Sequence, residues 1–236
     1  MARPSVSKRH ALGDGGEMSY KRHQSENLCL VFENKPWQGA DPLKAKYIFI
    51  GLDANYAPDV EDKVPEIWDY LDNGPGFWRK TGYHHPFRMP QYAGCGDRYH
   101  ENFAKIQFEK TEADQVSFIE LLHVPTTESK LDVSDLDNKH MAWLGNIIEH
   151  GEYEYIFIPP SVVNLMRKTG RFKWIRWKPL RVERDLKVLR DKGNGQVIYQ
   201  MYHFSCYGWQ KPKLQRQIEQ VRNMVDLERN GKNSIS

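Results

Sequence analysis

The chain has 236 residues and 27.8 kDa, enough for one domain with a buried core, and its 7 Trp, 12 Tyr and 10 Phe argue against disorder. No apolar run approaches the roughly 18 residues of a membrane helix, the start MARPSVSKRHALGDGG lacks a signal-peptide core, and three scattered cysteines form neither a disulfide framework nor a CxxC knuckle, so a cytoplasmic protein is expected. The net charge of +3 hides a division, because residues 167–236 hold 17 Lys and Arg against 6 Asp and Glu, or +11, and residues 1–166 therefore carry −8.

In chain order, residues 1–24 are polar, Gly-rich and unpatterned, which predicts a mobile basic arm ahead of a single domain over 25–236. Four β-rich runs follow: KYIFIGL (46–52), VSFIELL (116–122), YIFIPP (155–160) and QVIYQMYHF (196–204). The first three are almost continuously apolar, as strands buried on both faces are. Helices are expected around 64–72, 97–109, 135–150, 160–169 and 211–229, the last carrying Leu214, Ile218, Val221 and Val225 at helical spacing. FWRKTGYHHPF (77–87) reads as an aromatic loop, and Ser161 after Pro159-Pro160 as a helix cap. Strands alternating with helices predict an α/β fold, a three-layer α/β/α sandwich with a mainly parallel, four-stranded central sheet. Ligands of such sheets sit beyond the carboxyl ends of the strands.

Those ends carry Gly51-Leu52-Asp53-Ala54-Asn55-Tyr56, Glu120 with His123 close behind, and His203-Phe204-Ser205. GxGxxG after a strand and GxxxxGK[ST] are both missing, so no nucleotide cofactor is expected. His84 and His85 have no third ligand at metal-site spacing, so no metal is expected either. The segment Arg167 to Lys192 holds 11 basic residues and 3 acidic ones, with Phe172, Trp174 and Trp177 among them. Phosphate attraction combined with aromatic platforms points to nucleic acid, through Lys173, Arg176 and Lys178. The competing reading is a solvated helix whose Trp residues pack inward.

The Gly-x-Asp turn after the first strand and the His-x-Ser turn after the last resemble the two signature motifs of the uracil-DNA glycosylase superfamily, over roughly residues 46–209. The family's first motif often reads Gly-x-Asp-Pro-Tyr, whereas here proline is absent and Tyr56 comes one position late. The second often reads His-Pro-Ser, with Phe204 here in the middle. The resemblance implies a monofunctional DNA glycosylase, a monomer that acts on DNA. Asp53 is then the catalytic carboxylate, and His203 the donor to the departing base. Phe87 or Tyr83 is the stacking floor, Ser205 a DNA contact, and Tyr207 the residue that fills the gap left by the flipped nucleotide.

Many family members place an asparagine on the second strand to read uracil, and Glu120 stands there instead. An ionised glutamate only accepts hydrogen bonds. It opposes uracil O4 and accepts from the cytosine amino group, although cytosine N3 then requires a protonated Glu120 or another partner. A modified cytosine is therefore the expected target, which resembles the branch that removes heavily modified cytosines from invading phage DNA. His123 is the alternative reader. The competing functions are repair of uracil or 5-hydroxymethyluracil, a non-catalytic nucleic-acid-binding module, and an unrelated α/β hydrolase of nucleosides.

Overall fold

The computed structural model describes residues 19–92 and 97–233. The first half comprises β1 (Tyr20–Arg22), α1 (Glu26–Asn34), β2 (Trp37–Gly39), β3 (Tyr47–Gly51), α2 (Val60–Lys63), α3 (Ile67–Asp72), α4 (Gly74–Thr81) and α5 (Asp97–Ala104). The second comprises β4 (Val116–Glu120), β5 (Thr126–Ser129), α6 (Asn138–His150), β6 (Tyr155–Ile158), α7 (Pro160–Lys168), β7 (Arg181–Glu183), β8 (Leu186–Asp191), β9 (Val197–Gln200) and α8 (Lys211–Asn233).

Every residue of β3 is buried because successive side chains enter different cores. Ile48 and Ile50 join Ile119, Ile156, Ile158 and Ile198 in an aliphatic layer under α6 and α7. Tyr47 and Phe49 join Phe118, Phe157 and Tyr199 in an aromatic layer under α5 and α8. Helices thus cover both faces of the sheet. A third cluster, with Leu28, Phe32, Ile67, Tyr70 and Phe77, packs α1 and the short helices α2 to α4 together.

The main sheet has the order β2-β4-β3-β6-β9-β8-β7. Its middle strands, β4, β3, β6 and β9, are the four runs expected from the sequence, and they pair in parallel. The expectation of four strands falls short, because β2, β8 and β7 add antiparallel pairs at the two edges and make a mixed sheet of seven. The β8–β9 hairpin turns through Gly193 and Gly195, both at positive φ, a conformation that glycine adopts freely.

Three local expectations are also corrected. The segment 77–87 is not a loop throughout: α4 occupies its first part, opened by Asn73 accepting from Gly76 N at 2.9 Å and closed by Gly82 at φ +80°. Ser161 is not a cap, because Pro160 already occupies the first turn of α7 and Pro159 stands at the cap position. The basic segment is not a solvated helix, because regular helix ends at Lys168 and the chain continues as a loop into β7 and β8. Phe172 and Trp174 pack against the aliphatic layer, leaving Trp177 alone of the three exposed. Residues 1–18 of the expected arm lie outside the described residues, and from Tyr20 the chain forms β1, paired antiparallel with β5.

Candidate active site

A cleft of about 520 Å³ opens beyond the carboxyl ends of the parallel strands. It brings together Asp53, Tyr56, Phe87, Glu120, His203 and Ser205. Tyr83, His123 and Tyr207 do not line it, and neither do Lys173, Arg176 and Lys178.

Asp53 follows β3 and is half-buried. Thr126 Oγ1 donates to its Oδ2 at 2.5 Å, so Asp53 is fixed by the neighbouring strand β5 instead of capping its own turn. The same threonine braces the loop through its backbone, with Thr126 N donating to Ala54 O at 3.0 Å and Tyr56 N donating to Thr126 O at 2.9 Å. Asn55 Nδ2 adds a 3.4 Å contact to Thr126 Oγ1.

Glu120 ends β4 on the aromatic side of the sheet, directly opposite Gly51 in the β3–β4 register. A Cβ at Gly51 would sit 2.1 Å from Glu120 Oε2, so glycine gives the carboxyl its space. Burial raises the Glu120 pKa well above the usual glutamate range, and the nearby Asp53 carboxylate raises it further. Both causes favour the protonated form of Glu120. Its backbone oxygen accepts from His140 Nε2 at 2.8 Å, which pins the strand end to α6.

His203 follows β9. Its Nδ1 accepts from Ser205 N at 3.2 Å, which assigns the ring proton to Nε2. Burial lowers the His203 pKa, an effect that Asp53 partly offsets, so the imidazole is neutral with an Nε2–H donor. Cys206 N donates to His203 O at 2.9 Å, and Asn102 Nδ2 donates to Phe204 O at 2.7 Å, tying the turn to α5. The Tyr99 ring packs beside His203, with 5.3 Å between centroids.

The wall opposite is a stack of rings. His85 lies parallel to His100 at 3.8 Å, and Phe87 meets the His85 ring edge-on at 4.5 Å. His84 Nε2 and His100 Nδ1 share a hydrogen bond of 3.2 Å. Burial holds all three histidines uncharged: His84 and His85 fall well below the usual range, and His100 falls to about 3 with Arg88 contributing. His100 is thus a third imidazole beside the His84–His85 pair, supplied by tertiary packing. Among the described residues no group of three or more His, Cys, Asp or Glu side chains is arranged to hold a metal ion.

Of the residues that stay outside, Tyr207 stands at the lip, 75% exposed, with the Arg98 guanidinium 5.8 Å from its ring centre. His123 is half-buried, with Nδ1 unpartnered among the described residues, and its ring lies 5.9 Å from that of His140. Tyr83 is half-buried at the end of α4. The cleft residues that the sequence does not reveal include Gln38, Tyr99, His100 and Gln210. Tyr99 and His100 fall in a segment correctly read as helix, but helical spacing does not say which face meets the cleft. Gln38 sits on a three-residue edge strand too short to leave a pattern.

Among the described residues no helix is long and apolar enough to cross a membrane. No protein-family model matches the chain, and no curated protein matches it.

Proposed function

We propose that the chain is a monofunctional DNA glycosylase, a cytoplasmic monomer that hydrolyses the N-glycosidic bond of a flipped base and leaves an abasic site. The observation that carries this reading is one cleft that gathers the Asp53 carboxylate, the Glu120 carboxyl and His203, whose Nδ1 accepts from Ser205 N and so leaves Nε2–H as the donor. Breaking the bond develops positive charge on the sugar and negative charge on the base. Asp53, held by Thr126, stabilises the first and orients the attacking water. His203 donates to the base oxygen where the second accumulates, and a fixed donor in a partly dry cleft acts without reorganising. Phe87, backed by His85 and His100, supplies the flat wall against which an extruded base stacks. Ser205 and the lip residue Tyr207 face the backbone and the vacated stack.

Glu120 reads the base. A protonated carboxyl offers one donor and one acceptor, so its O–H matches cytosine N3 while its carbonyl accepts from the amino group. The proton that an ionised glutamate lacks is the one that burial retains. A cleft of about 520 Å³ falls in the range of roughly 300–1,000 Å³ that suits ligands larger than a bare pyrimidine, and so favours a substituted cytosine of the kind found in modified phage DNA. Turned over, the same carboxyl donates to uracil O4 and accepts from N3–H. Uracil or 5-hydroxymethyluracil is therefore the second reading, favoured by the same neutral group.

The test is base release from matched oligonucleotides carrying uracil, 5-hydroxymethyluracil, 5-hydroxymethylcytosine and glucosylated 5-hydroxymethylcytosine. Release of a cytosine-type base that disappears in Asp53→Asn is the expected result. Release of uracil bases alone selects the second reading. Binding without release of any base reduces the chain to a nucleic-acid-binding module.

A further inference from the structure

The segment from Arg167 to Val182 contains seven basic side chains and no acid. Two of its cations are neutralised locally: Lys168 faces Asp132 at 3.7 Å, and Arg181 pairs with Glu183 and Asp191. Arg171, Lys173, Arg176 and Lys178 are exposed and form no ion pair with any described residue. In the rest of this half of the chain Arg190 pairs with Glu149, Arg216 with Asp185 and Arg229 with Glu112, whereas Arg184, Lys187, Lys211, Lys213 and Arg222, spread over the β7–β8 hairpin and α8, also lack an ion pair with a described residue. What sets the loop apart is density, with four exposed, unpaired cations between Arg171 and Lys178 and no acid among them.

Trp177 stands in the middle of that loop and is 86% exposed. The ring is also held in place. The Arg167 guanidinium lies over it at 4.5 Å, and Arg167 is itself fixed by donating to Asn164 Oδ1 at 2.9 Å and to Arg176 O at 3.0 Å. Phe172 and Ile175 anchor the loop from beneath by burying in the aliphatic core. The result is a rigid aromatic platform with one face backed by a cation and the rest open to solvent, flanked by four free cations.

This platform is separate from the cleft. Ser161 at the start of α7 lines the cleft, whereas Arg167 and Lys168 close the last turn of the same nine-residue helix, about 10 Å along its axis. Beyond it, Trp174 lies under Arg190, whose partner Glu149 is in the last turn of α6, the helix that leads into the amino end of β6. The loop thus runs towards the sheet edge opposite the cleft.

We propose that the loop around Trp177 is a second nucleic-acid-binding surface, specific for single-stranded chains: an unpaired base stacks on Trp177 while Arg171, Lys173, Arg176 and Lys178 meet the flanking phosphates. A single strand fits better than a duplex because only an unstacked base exposes the face that the ring offers. An acidic protein segment would match the charge but leave the fixed, flat ring without a role. The surface does not depend on the glycosylase reading, since it shares no side chain with the cleft.

The test measures binding of the full chain to an oligothymidylate, to a blunt duplex and to polyglutamate, by anisotropy across a salt series. Oligothymidylate presents no cytosine to the cleft, and since thymine shares O4 and N3–H with uracil, the loop is assigned by the effect of Trp177→Ala, which lies outside the cleft. Trp177→Ala is expected to weaken its binding roughly tenfold. Replacing Lys173, Arg176 and Lys178 with Ala is expected to flatten the salt slope by roughly 2, at about 0.7 per phosphate contact on a single strand. Asp53→Asn should bind the oligomer like the wild type. Unchanged affinity in both loop variants overturns the proposal. So does polyglutamate competing as well as the oligomer while Trp177→Ala has no effect, which would make the loop a docking site for acidic protein. If oligomer binding depends on Trp177 but no DNA releases a base, the glycosylase reading fails and this one stands.

Discussion

The two faces of the central sheet are built from the same strands, yet they do different work. On one side, isoleucines from four strands fill space against α6 and α7. On the other, rings run strand to strand: Phe118 stacks on Phe49 at 5.8 Å, Phe49 on Phe157 at 5.0 Å, and Phe157 on Tyr199 at 5.8 Å. Glu120 and Gly51 stand on this second side by alternation, at the ends of β4 and β3 beyond Phe118 and Phe49. Large rings at the floor of a polar cleft exclude water from it, which is what keeps a carboxyl protonated. The aliphatic face provides stability alone, whereas the aromatic face also sets the electrostatics of the cleft.

Substitutions in neighbouring residues of β6 test this contrast most strongly. Phe157→Ala, on the aromatic face, should cost about 3–5 kcal/mol in urea unfolding, and Ile156→Val, on the aliphatic face, about 1 kcal/mol. The aromatic substitution should also admit water and bring the Glu120 pKa down, while Ile156→Val leaves it alone. Equal effects on that pKa would remove the distinction between the faces.

Within the cleft, Asp53→Asn should leave urea unfolding unchanged within about 1 kcal/mol and slow base release by roughly two to three orders of magnitude, equivalent to about 3–4 kcal/mol. Single-turnover release from the preferred substrate is the measurement. Wild-type rates in that variant would remove Asp53 from the chemistry.

Glu120→Gln separates the electrostatic contribution of the aromatic face from its packing. The folded-state pKa of Glu120 is raised, so its contribution to stability is fully present below the ordinary glutamate pKa of about 4.3 and is lost as pH rises through the raised value. Glutamine has no proton to lose. The variant should match the wild type in melting temperature near pH 4 and gain on it as pH rises. Base release by the wild type should fall in parallel with that divergence, and the variant should flatten that limb. A melting difference independent of pH would show that Glu120 is ionised in the fold.

The smallest effect is expected from Gly51→Ala, where a methyl group enters the space of the Glu120 carboxyl. The flexible carboxyl can withdraw, so stability should change little. Discrimination between cytosine-type and uracil-type bases should change by roughly tenfold, or about 1.4 kcal/mol, in competition assays. Unaltered preference would dissociate Glu120 from base reading.

Much of this layout was legible in the sequence. Runs such as YIFIG and YIFI are apolar without interruption, and only a strand buried on both faces needs that, so the four inner strands were found with their order of helices. The edge strands were not, because WQG and RVE are three residues long and alternate too briefly to leave a period. The turn KGNG between β8 and β9 did carry a hairpin signal, and the sequence reading overlooked it. Asp53, Glu120 and His203 were legible as strand-end residues, and the structure gathers them into one cleft. The raised pKa of Glu120 was not legible, since it arises from the burial that tertiary packing imposes and from the Asp53 carboxylate brought near it. Nor could spacing show that His100 would stack on His85, or that Trp174 would turn inward and Trp177 outward.

Thr126 has a further consequence through the strand to which it belongs. It is fully buried, it bonds Asp53, and in the small two-stranded ribbon it pairs with Arg22 of β1, while His23 N donates to Pro125 O at 2.9 Å. The ribbon therefore works as a tie rod between the amino-terminal strand and the reactive loop. A tether, bead or fusion partner that pulls on β1 loads Asp53 through the β1–β5 pairing and the Thr126 hydroxyl. The same pull on the far end of α8 is spread instead over the broad sheet, where Glu228 holds the hydroxyl of Tyr47 at 2.8 Å. Of the two ends, the carboxyl-terminal helix is the mechanically quiet one by which to hold this molecule.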